Sequence, residues 1–223
     1  MSDLLVSIKV AFTGAGVTLS ISALAVLIGL AVGLIVAIGK MSHKKVIKTI
    51  ASVYVDILRG TPLVVQALLV YFGIPMLLQS WGVDFVWPTA FLASFLVCGI
   101  NSSAYVAEII RSGLQAIDPG QAEAARSLGM TYKQTMRHII IPQAIRIIIP
   151  ALGNEFISLI KETAVLSIIT VTDVTRASML YASRGANYFP AYLGTAVVYL
   201  IMTIPLSKFM NYVERKLAGD VRS

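Results

Sequence analysis

The apolar positions of this chain do not recur at the spacing of one helix face or alternate like a half-buried strand; they run together. Residues 10–39 contain no charged side chain, and about 20 consecutive apolar residues are enough to cross the hydrocarbon layer of a bilayer. Comparable runs recur, and spanning helices are predicted at about residues 17–39, 50–79, 87–110, 147–169 and 188–209. The first, third and fifth runs are clear. The second carries Asp56 and Arg59 near its start and the fourth carries Glu155, Lys161 and Glu162, so their limits are set less sharply. The first run is expected to span rather than to be cleaved as a leader. A leader has an apolar region of about 7–15 residues behind basic ones, whereas here Asp3 comes before the run and lysines come after it. The expected fold is all-α and integral to the membrane, with five transmembrane helices and a short amphipathic N-terminal stretch.

Composition agrees. The 223 residues are 57% apolar and 13% charged, with a mean hydropathy of +0.82, whereas soluble domains carry about 25% charged residues. The charge is also unevenly placed. Lys40, Lys44, Lys45 and Lys48 follow the first run, and Arg111, Arg126, Lys133, Arg137 and Arg146 follow the third. Lys208, Arg215, Lys216 and Arg222 close the chain, while the opposite side holds only Lys9, Arg176 and Arg184. Lys and Arg are retained on the cytoplasmic side during insertion, so the N-terminus is predicted outside and the C-terminus inside, in accord with an odd number of spans. The net charge of +7 follows from this asymmetry facing anionic lipid, and no nucleic-acid partner is needed to explain it.

Several chemistries are not encoded. Cys98 has no second cysteine to pair with, and inside an apolar run a reduced, buried thiol is expected. His43 and His138 lack companions at metal-ligand spacing, so no metal site is expected. There is no HExxH, GxSxG or GxxxxGK[ST] pattern. No catalytic residue is therefore assigned, and any ATP must be hydrolysed on another chain. Gly29 and Gly33 form a GxxxG pair that would let two helices approach closely. Five spans do not divide into the two inverted halves common among secondary transporters.

The segment at 111–146 is too long for a turn and is well punctuated. Asp118, Pro119 and Gln121 supply an N-cap, a first-turn proline and a third-position amide. Ala122, Ala124 and Ala125 favour helix and Gly129 offers a stop. Thr131 and Gln134 mark a second start. That helix is expected to end before Pro142, because proline lacks an amide hydrogen and restricts its predecessor. Two short helices bent at Gly129 result, on the side rich in Lys and Arg.

Glu123, Ala124, Ala125, Gly129, Ile139, Ile141 and Pro142 resemble the EAA motif of ATP-binding-cassette importer permeases, EAA-x3-G-x9-I-x-L-P, with Ile141 in place of the usual Leu. The resemblance implies that the elbow is a coupling helix docked in a cleft of a separate ATPase subunit, which holds the ATP and Mg. Arg59-Gly60-Thr61-Pro62 with Val64-Val65-Gln66, the stretch from Ala104 to Gly113, and Asn154, Lys161 and Thr163 resemble the subfamily that takes up polar amino acids, basic ones among the candidates. The same likeness implies a bacterial inner-membrane permease working by alternating access. Its expected partners are two ATPase subunits, a second permease copy or close relative, and an external solute-binding protein.

Polar side chains at membrane depth are costly unless they face protein or water. Gln66, Asn101, Asn154, Glu155, Ser158 and Glu162 are candidates to bind an amino acid. A carboxylate would take its ammonium or guanidinium group, and amides would take its carboxylate. The other reading of the fourth-span residues is a network between helices, with a Lys161–Glu162 pair. Asp56 with Arg59, and Glu108 with Arg111, stand three apart and are expected to pair. A transporter driven by an ion gradient is the alternative function, but it has no use for the elbow.

Overall fold

The computed structural model describes residues 2–185 and 187–219. Arg222 of the basic tail lies outside them. Helix α1 (Ser2–Thr13) leads into α2 (Ala15–Lys40), and α3 (Lys45–Gly60) comes next. Then α4 (Leu63–Leu68) runs through a π turn (Leu69–Gly73) into α5 (Ile74–Ser80). Helix α6 (Ala90–Gln115) precedes the short α7 (Pro119–Ser127). Beyond it, α8 (Tyr132–Thr135), a second π turn (Met136–Ile140), α9 (Ile141–Glu162) and a 3-10 segment (Thr163–Ile169) lie in line. Two further helices, α10 (Val174–Gly185) and α11 (Tyr188–Gly219), complete the chain, with no strand among the described residues. Five stretches are long and apolar enough to span, Asp3–Lys40, Leu63–Ser80, Ala90–Gln115, Tyr132–Ile169 and Tyr188–Leu217, in agreement with the expected class.

The centre of the bundle is the pair α2 and α6. The GxxxG pair makes this contact inside the chain. A Cβ on Gly33 would lie 2.7 Å from Val106 Cγ1 and 2.8 Å from the Ser103 carbonyl, and one on Gly29 would lie 3.0 Å from Ser102 Oγ. Only glycine permits such an approach. Around this seam, Ile21, Ala25, Val97, Cys98, Leu159, Leu166 and Ile169 form the largest buried cluster, and Cys98 is buried as expected. The N-terminal stretch belongs to the bundle. Helix α1 lies against α10 and α11, and Ala11 and Ala15 share a cluster with Val174 and Val198.

Two elements differ from expectation, both because of proline. The second run, expected as one helix over 50–79, is broken. Pro62 cannot donate to the carbonyl of Leu58 four residues earlier, and it forces Thr61 out of the helical region to φ −118°, ψ 141°. In the fourth, the helix expected to stop before Pro142 continues through it. The preceding π turn, in which Ile141 N–H donates to the Met136 carbonyl, widens the ring and makes room for the proline. Gln143 Nε2 also donates to the Ile139 carbonyl at 2.9 Å. The same device precedes Pro75. There the π turn Leu69–Gly73 frees the Val70 carbonyl, which accepts from Trp87 Nε1 at 2.8 Å. A bilayer core offers little water to a broken helix, and side chains, neighbouring helices or a local π adjustment can take up the carbonyl that a proline frees. The second elbow helix is thus the start of the fourth span, not a separate short helix.

Candidate functional site

The break between α3 and α4 lies near the middle of the bundle. Its neighbour Asn101 is the twelfth of the 26 residues of α6, about 18 Å along a helix of about 39 Å at 1.5 Å per residue. Irregular backbone at that depth must be satisfied by protein. Gln66 Nε2 donates to the Leu58 carbonyl at 2.9 Å, the Thr61 carbonyl at 3.1 Å and Thr61 Oγ1 at 2.8 Å. Asn101 Nδ2 reaches the same Leu58 carbonyl at 3.3 Å and donates to Gln66 Oε1 at 3.0 Å. Pro62 makes the break, and Gln66 with Asn101 caps it. The local sequence from Arg59 to Gln66 is therefore a nearly self-contained device for interrupting a helix inside a membrane.

The break opens a cleft of about 440 Å³ lined by Arg59, Thr61, Pro62, Asn101, Tyr105 and Glu162, among others. Arg59 lies in the last turn of α3, where the helix dipole favours a cation. Its guanidinium sits over the Tyr105 ring, 5.3 Å from the centroid, a cation–π contact. The expected Asp56–Arg59 pair does not form: among the described residues the ion pairs are Lys40–Glu108 and Arg111–Glu108. Arg59 instead lies over Tyr105 of α6, and Asp56 is exposed. Lys161 and Glu162 do not pair either. Glu155, seven residues before Glu162 on the same side of α9, accepts from Ser102 Oγ at 3.1 Å. Of the six candidate binding residues, Asn101 and Glu162 line the cleft and Gln66 stands behind Asn101. Glu155 meets the residue next to Asn101, whereas Asn154 is exposed and Ser158 half-buried, and neither lines the cleft.

Sequence reasoning passed over Tyr105 and gave Arg59 to Asp56. Tyr105 stands one turn after Asn101 on the same helix face, and Pro62 is the signal that the helix before it must end.

The elbow is built by its caps. Asp118 Oδ1 accepts from the Gly120 amide at 2.8 Å and starts α7. At its end the Gly129 amide donates to the Arg126 carbonyl at 2.9 Å and the Met130 amide to the Ala125 carbonyl at 3.1 Å. This is a Schellman closure that requires a left-handed residue, and Gly129 supplies it with φ 83°. Thr131 and Gln134 then form a complete capping box. Ala125 is buried where α7 meets α8 and the π turn. Glu123 and Ala124 are exposed, Ile139 is half-buried, and Ile141 and Pro142 are exposed. Leu128 and Tyr132, on either side of the bend, are 84% and 78% exposed.

At the other end of α6 from its start, Glu108 joins two cations. Lys40 Nζ donates to Glu108 Oε2 at 3.0 Å, and Arg111 Nε donates to Glu108 Oε1 at 3.0 Å. The expected Glu108–Arg111 pair forms and recruits the end of α2.

Five membrane-length apolar stretches, with a broken helix at mid-depth between them, define a polytopic integral membrane protein. Residues 29–219 match the model of the family described as binding-protein-dependent transport system inner membrane component, and the chain belongs to that family. It is 38% identical over 207 residues to the arginine transport system permease protein ArtQ of Bacillus subtilis (strain 168), covering 93% of this chain and 92% of that one. It is 37% identical over 204 residues to the putative glutamine transport system permease protein GlnP of Rickettsia bellii (strain RML369-C), covering 92% and 91%. Among solved structures, one described as an amino acid ABC transporter with histidines matches with a TM-score of 0.85 and 48% identity, over 93% of this chain and 94% of that one. The inward-facing MetNI methionine ABC transporter shares the fold, with a TM-score of 0.74 at 18% identity. These likenesses favour an ABC importer permease over a transporter driven by an ion gradient.

Proposed function

We propose that this chain is the permease subunit of an ATP-driven importer of polar amino acids, with the cleft at the α3–α4 break as part of the substrate path. The observation that carries this reading is the placing of Arg59 and Glu162 on one mid-depth cleft, beside amides already held by the helix break. A zwitterion needs a cation for its carboxylate and an anion for its ammonium group. Arg59 and Glu162 offer both, and a side-chain guanidinium would compete for the same Glu162 carboxylate. The names of the relatives, arginine and glutamine permeases, support this substrate class.

The exposed tip of the elbow, Leu128 with Tyr132, and the outward Glu123 and Ala124 supply the surface for an ATPase subunit. Two such subunits carry ATP and Mg, and their closure moves two elbows together in a permease pair. An external solute-binding protein delivers the amino acid. The excess of Lys and Arg after the first and third spans supports a cytoplasmic C-terminus and an external N-terminus in a bacterial inner membrane.

The test is substrate-stimulated ATPase activity of the purified complex with its receptor. Glu162→Gln and Arg59→Gln should each raise the half-saturating amino acid concentration at least tenfold, with Asn154→Ala unchanged. Equal behaviour of all three variants would remove the cleft from the path.

A further inference from the structure

The end of α2, the start of α3 and the end of α6 enclose a second cleft, of about 740 Å³, unrelated to the helix break. Lys40, His43, Lys45, Lys48 and Arg111 line it. Four of these are cations at neutral pH, and the acid that meets any of them is Glu108, already shared by Lys40 and Arg111. Among the described residues Lys45 and Lys48 form no ion pair. They also occupy the first turn of α3, where the helix dipole disfavours a cation, and the N-cap Lys44 makes no side-chain cap. Each of these features is unfavourable alone, and an anion seated among them relieves all of them.

The surroundings say which anion. The cleft is lined by Lys40 and Gln115, the last residues of two membrane-spanning stretches, so it lies at the depth where a bilayer presents its headgroups. A phospholipid is anchored at that depth by its own acyl chains, whereas a soluble phosphate must be drawn from the bulk. Basic pockets between membrane helices at the cytoplasmic interface suit anionic headgroups, and the volume falls in the range of about 300–1,000 Å³ typical of ligand sites.

We propose that this cleft is a binding site for the headgroup phosphate of an anionic phospholipid. The lipid would tie the α2–α3 connection to the end of α6. Its placement in the cytoplasmic leaflet rests on the orientation proposed above; the binding itself does not.

The test is lipid retention by the permease purified with its ATPase partner, read by native mass spectrometry, with phosphatidylglycerol and phosphatidylcholine as probes and inorganic phosphate as competitor. Phosphatidylglycerol should be retained in preference to phosphatidylcholine, and millimolar phosphate should not displace it. Lys45→Gln with Lys48→Gln should weaken retention about 30-fold, from roughly 1 kcal/mol per basic residue near a charged surface. Lys45→Arg with Lys48→Arg should preserve it, and so should Lys208→Gln with Lys216→Gln, which make the same charge change elsewhere. Displacement by phosphate, equal retention of the two lipids, or an equal loss in the Lys208 and Lys216 variant would overturn the site. Retention is measured without transport, so it stands or falls separately from the transport reading.

Discussion

Replacing Gln66 by leucine tests the account of the helix break. The substitution removes the amide whose two hydrogens are shared among the Leu58 and Thr61 carbonyls and Thr61 Oγ1, and the acceptor of the Asn101 amide. Hydrogen bonds between membrane helices average about 0.6 kcal/mol, while a buried carbonyl left without a partner costs about 1–3 kcal/mol. Asn101 still reaches the Leu58 carbonyl at 3.3 Å, so a loss of about 2 kcal/mol is expected. The cause is the amide hydrogen that Pro62 lacks. Pro62→Ala restores it four residues after Leu58, where a helical bond would form, and in that background Gln66→Leu should cost about half as much. A double-mutant cycle on reversible unfolding of the purified permease measures this coupling. An equal cost in both backgrounds would refute the reasoning, because Gln66 would then stabilise something other than the break.

Gly33→Val should lower the unfolding free energy by about 1–3 kcal/mol through overpacking, since the new Cβ would meet Val106 and the Ser103 carbonyl; unchanged stability would show that α2 and α6 are not seated as described. A Cβ at Gly129 would meet no neighbouring atom within 4 Å, so Gly129→Val should act through its positive φ alone, at about 1–2 kcal/mol. It should reduce co-purification of the ATPase while leaving the spans folded, and Gly129→Asn, which tolerates that backbone, should reduce it less. Burial holds the Asp173 carboxyl above its usual range, against the amide of Arg176 and the hydroxyl of Tyr199, which pull it down. An acid with a folded pKa above its unfolded one favours the folded state most when protonated. Its contribution is thus complete below the ordinary aspartate value of about 3.9 and lost as pH rises through the raised value. Asp173→Asn should flatten this slope in unfolding midpoints taken from about pH 4 to about pH 8, and an unaltered slope would assign it to other groups.

Which parts were legible in the sequence depends on how local their causes are. The five spans come from runs of apolar residues, and the caps at Asp118, Gly129 and Thr131 from contacts within a few residues, so both could be read from the chain. Pro62 and Pro142 carry the same local signal and have opposite outcomes. At Pro62 a side-chain amide from α4 and another from α6 satisfy the freed carbonyl, and the helix stops. At Pro142 a π turn absorbs the missing bond, and the helix continues. The partner that decides each case is tertiary. Arg59 likewise has Asp56 one turn before it, yet it lies over Tyr105 of α6, a tertiary neighbour that helical spacing alone cannot supply. The GxxxG pair marked a close approach, but only packing identifies its partner as α6.

The central claim is that movement of solute through this bundle is driven by a separate nucleotide-hydrolysing subunit. Uptake of labelled arginine and glutamine into proteoliposomes, reconstituted with the ATPase subunit and the solute-binding protein, measures it directly. Accumulation should require ATP inside the aqueous compartment facing the elbow and should survive collapse of proton and sodium gradients. Uptake by the permease alone, sustained by an ion gradient without ATP, would contradict it.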